Sequence, residues 1–135
     1  MITGIHETVL YAPDVPAAAE FYRSVLGLEL VRPAAAQSAV LRIGADSVLI
    51  LFDPAYSVLT GRGAPPHGMT GQGHVAFRIE PGSIGRWRDR LERATGRHVE
   101  AEVTWELGGR SLYVRDPAGN SVELVDGAVW PLAAR

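Results

Sequence analysis

The chain has 135 residues, a net charge of -2, and neither cysteine nor lysine. Disulfides, thiolate metal sites, cysteine nucleophiles and lysine Schiff bases are therefore excluded, and scattered arginines give no basic field for nucleic acid. With 47% hydrophobic residues the sequence can bury a core as a single domain over 1–135. No run spans a bilayer and no signal pattern opens the chain, so a cytoplasmic protein without membrane or nucleic-acid partners is expected.

In chain order, residues 2–12 mix Ile5, Val9, Leu10 and Tyr11 with polar residues and suit a strand, with His6, Thr8 and Leu10 on one face. Asp14 and Pro16 start a helix that Gly27 ends, with Ala17, Phe21 and Val25 as its inward stripe. Three short strands follow at 28–31, 39–43 and 47–52, the last two joined by the turn 44–46. Residues 54–72 are rich in glycine and proline and read as a linker or mobile loop. A strand restarts at His74, with His74, Ala76 and Arg78 on one face and Val75, Phe77 and Ile79 on the other. A helix capped by Ser83 carries Ile84, Trp87, Leu91 and Ala94 at helical spacing and ends at Gly96. Strands at 99–105, 110–115 and 121–125 complete the chain, the last two forming a hairpin around residues 116–120.

The pattern strand, helix, three strands thus occurs twice, as pseudo-repeats 1–53 and 73–127. Each half-sheet has an edge and an apolar face that the other can close, which predicts an α+β fold of two βαβββ units forming a barrel-like curved mixed sheet. Aligning the copies sets His6 against His74 and Leu49 against Glu123. Glu123 lies inside an apolar strand, flanked by Val122 and Leu124. A buried carboxylate without a partner costs several kcal/mol, so a cation is expected beside it.

The segments AAEFYRSVLGLEL, GHVAF and SLYVRDPAGNSVEL resemble the vicinal oxygen chelate superfamily, which includes glyoxalase I, extradiol dioxygenases, fosfomycin-resistance transferases and bleomycin-resistance proteins. The resemblance runs from His6 to Val125. It implies a divalent metal in the cavity, with His6, His74 and Glu123 at the ligand positions and Tyr113 near substrate. Two imidazoles and one carboxylate suit a borderline divalent ion and leave coordination sites free for a substrate with adjacent oxygens. Fe(II), Mn(II), Zn(II) and Ni(II) all fit these ligands, and no organic cofactor is expected. Thr8, Arg78 and Ser111 are candidates for substrate binding, and His67 for a base carried on a closing loop. Each has a plainer reading as a core, rim or solvated group. Trp87 reads as helix packing, and Trp105 and Trp130 stay open between packing and lining the pocket.

No subfamily matches at every position. Glyoxalase I adds a carboxylate ligand where Leu49 stands, extradiol dioxygenases add histidines, and the fosfomycin enzymes add a lysine and a potassium loop. A metal-dependent enzyme with dioxygenase-like or glyoxalase-like chemistry is expected, against a metal-free small-molecule or drug-binding protein or a thiol transferase. A homodimer is expected, in which His6 of one chain could join His74 and Glu123 of the other.

Overall fold

The computed structural model describes residues 1–133, which fall into two compact units. The first comprises Met1–Gly73 with the turn Asp116–Asn120; the second comprises His74–Arg115 and the residues from Ser121 onward. Each carries one mixed sheet with helices, so the fold is α+β. Among the described residues no helix is long and apolar enough to cross a membrane.

The first unit is built from β1 (Glu7–Tyr11), α1 (Val15–Ser24), β2 (Ser38–Ile43), β3 (Ser47–Phe52) and the short α2 (Pro54–Ser57). Its sheet has the order β1-β3-β2, with β1 parallel and β2 antiparallel to β3. The carboxylate of Asp14 caps α1, accepting the Ala17 N–H at 3.1 Å, and Pro16 sits in the first turn, where a missing N–H costs nothing. Gly27, at φ 75°, turns the chain back so that the Leu28 N–H reaches the carbonyl of Tyr22 at 3.0 Å. The inward face of α1 is Val15, Ala18, Ala19, Phe21 and Tyr22; Ala17, expected there, is only half-buried. It packs on β2 and β3, and Leu41, Leu49 and Leu51 are fully buried.

The strand expected at 28–31 is reduced to a single bridge, Leu30 with Leu41. Two backbone hydrogen bonds flank it, from the Val31 N–H to the Val40 carbonyl at 2.9 Å and from the Arg42 N–H to the Glu29 carbonyl at 2.8 Å. The supposed bare linker is partly ordered. Asp53 caps α2 through the Ala55 N–H at 2.9 Å, and the Arg62 guanidinium stacks over Tyr56, 4.8 Å from its ring centre.

The turn Asp116–Asn120 is held by its own acid. The Asp116 carboxylate, 4% exposed, accepts from the Tyr22 hydroxyl at 2.8 Å, from the N–H groups of Ala118 and Asn120, both at 2.9 Å, and from Asn120 Nδ2 at 3.0 Å. Asn120 Nδ2 also donates to the Tyr11 carbonyl, and its Oδ1 accepts the Gly73 N–H at 2.7 Å. Burial, then the Asp116 charge and hydrogen bond, push the Tyr22 phenol far above its ordinary value. A phenol whose folded-state value is raised contributes stability in full below its unfolded value of about 10, and that contribution drains away as pH rises further. Tyr22→Phe is accordingly expected to lose about 1–2 kcal/mol at pH 7 and to show a shallower stability loss between about pH 10 and 11 than the parent, read by urea unfolding. Equal alkaline slopes would refute this.

The second unit is built from β4 (His74–Arg78), α3 (Ile84–Thr95), β5 (Ala101–Thr104), β6 (Arg110–Arg115) and β7 (Ser121–Asp126). Its sheet has the order β4-β7-β6-β5, with β4 parallel to β7 and the remaining pairs antiparallel. In both units, then, the first strand runs parallel to the last. Ile84 and Leu91 are the buried residues of α3, which packs on β6 and β7, where Leu112, Val122 and Leu124 form the core; Ala94 is exposed. Ser83 is not the side-chain cap of α3. Its hydroxyl donates to the Glu80 carbonyl, and the Asp126 carboxylate takes the N–H groups of Gly82 and Ile84 at 3.0 and 3.1 Å instead.

Candidate functional site

One face of the second sheet carries the chemistry. The register pairs His74 with Ser121, Ala76 with Glu123 and Tyr113 with Glu123, so strand alternation puts His74, Ala76 and Arg78 of β4, Glu123 and Val125 of β7, and Ser111 and Tyr113 of β6 on one side. Most of these line a cavity of about 990 Å³, together with Trp105 and the segment after β7.

Glu123 is 6% exposed, and both of its oxygens are engaged. The hydroxyl of Ser111, itself fully buried, donates to Oε1 at 2.5 Å and accepts the indole N–H of Trp105 at 2.8 Å. This chain of donors fixes the carboxylate plane. Oε2 faces His74 Nε2 at 3.1 Å, and the imidazole is 52% exposed. At its other nitrogen, Nδ1, His74 lies 3.1 Å from the Ser121 carbonyl, which only accepts, so Nδ1 carries the hydrogen. The Tyr113 ring stacks on His74 with centroids 6.4 Å apart. Its phenol is raised by loss of solvent first, then by the hydrogen bond to Glu123 and its charge, with Ser111 pulling the other way. Tyr113 is thus a hydrogen-bond donor at neutral pH.

A divalent ion fits this donor pair. With Nδ1–H spent on a carbonyl, a neutral His74 turns the Nε2 lone pair toward Glu123 Oε2, and two acceptors facing each other need either a proton or a cation between them. Adjacent ligands about 2.1 Å from a metal stand about 3.0–3.4 Å apart, and the two atoms stand at 3.1 Å. Both donors are also held from behind, His74 by a backbone carbonyl and Glu123 by Ser111. Among the described residues no group of three or more His, Asp or Glu side chains is gathered into a ready-made site.

The other candidates lie in the first unit. His6 precedes β1 and is exposed; Thr8 is half-buried and pairs with Leu49. The alignment of Leu49 with Glu123 is off by one residue. Leu49 and Leu51 are the fully buried residues of β3, whereas Ile50 lies on the half-buried face. Matching the helix-packed core positions Leu49 and Leu51 with Val122 and Leu124 makes Ile50 the counterpart of Glu123. Since Glu7 pairs with Val48 and His74 with Ser121, the counterpart of His74 becomes Glu7, not His6. A one-residue slip exchanges the faces of a strand, and burial is the signal that reveals it. His67 is no solvated loop residue: its Nδ1 is 2.6 Å from the Tyr11 hydroxyl, and its ring meets Phe52 edge-on at 5.1 Å. His98 is exposed and pairs with Glu92. Trp87 is half-buried and lies beneath the Arg90 guanidinium.

The role of Ser111 behind Glu123 and the lining contributed by Leu132 are not evident in the sequence, whereas Trp105 and Trp130, open to either packing or lining, both line the cavity. Alternation of Ser111 with Leu112 is the available signal for the former; nothing in the pattern marks Leu132.

A family model described as the glyoxalase/bleomycin resistance protein/dioxygenase superfamily matches residues 4–124. A solved structure of a lactoylglutathione lyase from Agrobacterium tumefaciens is 40% identical, covers 97% of this chain and 98% of its own, and superposes with a TM-score of 0.88. A glyoxalase/bleomycin resistance protein/dioxygenase from Nocardioides is 24% identical over 98% of this chain and 91% of its own, with a TM-score of 0.72, and shares the fold. A comparison with curated proteins found no match.

Proposed function

The chain belongs to the glyoxalase/bleomycin resistance protein/dioxygenase superfamily, and from that premise we propose that it is a divalent-metal-dependent enzyme acting on a small substrate with adjacent oxygens. The observation that carries this reading is the 3.1 Å approach of His74 Nε2 to Glu123 Oε2, with each donor braced from behind. When bound, the ion supplies Lewis acidity toward the two substrate oxygens. The remaining work falls to side chains: Ser111 and Trp105 hold the carboxylate, and Tyr113, stacked on His74 and paired with Glu123 across the strands, offers its hydroxyl to a substrate oxygen. The lactoylglutathione lyase of similar sequence supports a glyoxalase-like reaction; the tyrosine beside Glu123 supports a dioxygenase-like one.

The third ligand comes from the start of β1 in a second copy, within a homodimer. Exposed Met1, Ile2 and Ile5 beside the edge strand β1 support such an interface. The resemblance favours His6 as that ligand, and the register favours Glu7. Metal analysis separates these readings. Wild-type protein is expected to retain about one divalent ion per chain. Loss of the ion in Glu7→Gln with retention in His6→Ala selects Glu7; the reverse selects His6. Metal-free wild type that still binds small aromatic ligands would replace the enzyme by a binding protein. Active protein is then screened with catechols and with thiol adducts of methylglyoxal.

A further inference from the structure

The cavity has a wall that the sheet does not supply. After β7, Gly127 (φ 83°) turns the chain, and residues 127–133 run along the cavity that holds His74 and Glu123. A backbone hydrogen bond fastens the segment. The Gly109 N–H donates to the Ala128 carbonyl at 2.9 Å, and a Cβ on Gly109 would stand 2.3 Å from that oxygen, so only glycine allows the approach. Beyond the fastening, Trp130 and Leu132 line the cavity yet are 70% and 72% exposed. Trp105 lines the same cavity, and its N–H is spent on Ser111, leaving only its apolar ring to a ligand. Arg78 also lines the cavity, and its guanidinium has no carboxylate partner among the described residues. Large apolar side chains left in water over a cavity of ligand size, with one unmatched cation at its side, describe the complement of a molecule.

We infer that residues 127–133 form the specificity wall of the substrate cavity, admitting a molecule with a ring-bearing apolar body, taken by Trp105 and Trp130, and an acidic group, taken by Arg78. The inference deepens the proposed function by naming the substrate class, and rests on it for the word substrate. Two indole faces suit a flat body, which loses little conformational freedom on binding. The guanidinium suits a carboxylate or sulfonate.

Two fluorescent probes test it, 8-anilinonaphthalene-1-sulfonate and the uncharged N-phenyl-1-naphthylamine, titrated into the full chain with metal content measured on the same samples. Trp130→Ala is expected to weaken both probes by about tenfold, and Arg78→Gln to weaken the sulfonate by about tenfold while leaving the neutral probe unchanged. Gly109→Ala, which displaces the segment from its fastening, should mimic Trp130→Ala. Unchanged binding of both probes to Trp130→Ala overturns the inference, as does dissociation of a wild-type dimer in that variant by light scattering, which would make Trp130 an interface residue. Glu123→Gln should lose metal and keep the probes. Wall-dependent probe binding in a metal-free wild type would sink the proposed function and leave the wall standing.

Discussion

Replacing Glu123 by glutamine is expected to lower divalent-metal affinity by more than about a hundredfold, beyond the upper end of what loss of an outer hydrogen-bond partner costs. The side chain is almost fully buried, and glutamine preserves its shape and can still accept from Ser111, so the fold should survive. What disappears is the anionic oxygen that faces His74 Nε2 at 3.1 Å. Near-UV circular dichroism should therefore overlay that of the parent, while metal retained after dialysis falls to background. A variant that keeps its metal would show that this carboxylate is structural.

Asp116→Ala is expected to destabilise the protein by about 3–5 kcal/mol, because it removes a buried charge on which several donors converge. The Tyr22 hydroxyl, the N–H groups of Ala118 and Asn120, and one Asn120 amide hydrogen all lose their acceptor. Against a total stability of about 5–15 kcal/mol for a domain, such a loss is severe. Asp116→Asn should lose about 2 kcal/mol or more, since its amide would turn a donor toward another donor. Urea midpoints at pH 7 give both values, and a loss under about 1 kcal/mol in Asp116→Ala would contradict the account.

These two acids also show what a sequence of this kind conveys. Strands β3 and β6 are readable to the residue, because apolar runs there are bounded by tight turns, and α1 and α3 are readable from their caps and spacing. Segment 28–31 has apolar residues but pairs with β2 through one bridge only, and how far two segments pair is a tertiary outcome that local pattern does not express. Ser83 has the right type for a helix cap, yet Asp126, distant in sequence, takes the amides. The repeat is legible as a repeat, whereas its register is not: Leu49 and Ile50 are equally apolar, and only burial tells which faces the helix. Glu123 stands out as an acid among apolar neighbours. Its attachment to Ser111 depends on β6 and β7 pairing so that Tyr113 meets Glu123, which no single strand announces.

The central claim is that His74 and Glu123 ligate one divalent ion. A crystal of the wild-type protein grown with Co(II), with diffraction recorded on both sides of the cobalt absorption edge, tests it most directly. The account predicts an anomalous peak about 2.0–2.2 Å from both His74 Nε2 and Glu123 Oε2. A map without a peak there, with the imidazole and the carboxylate still paired directly to each other, would contradict it.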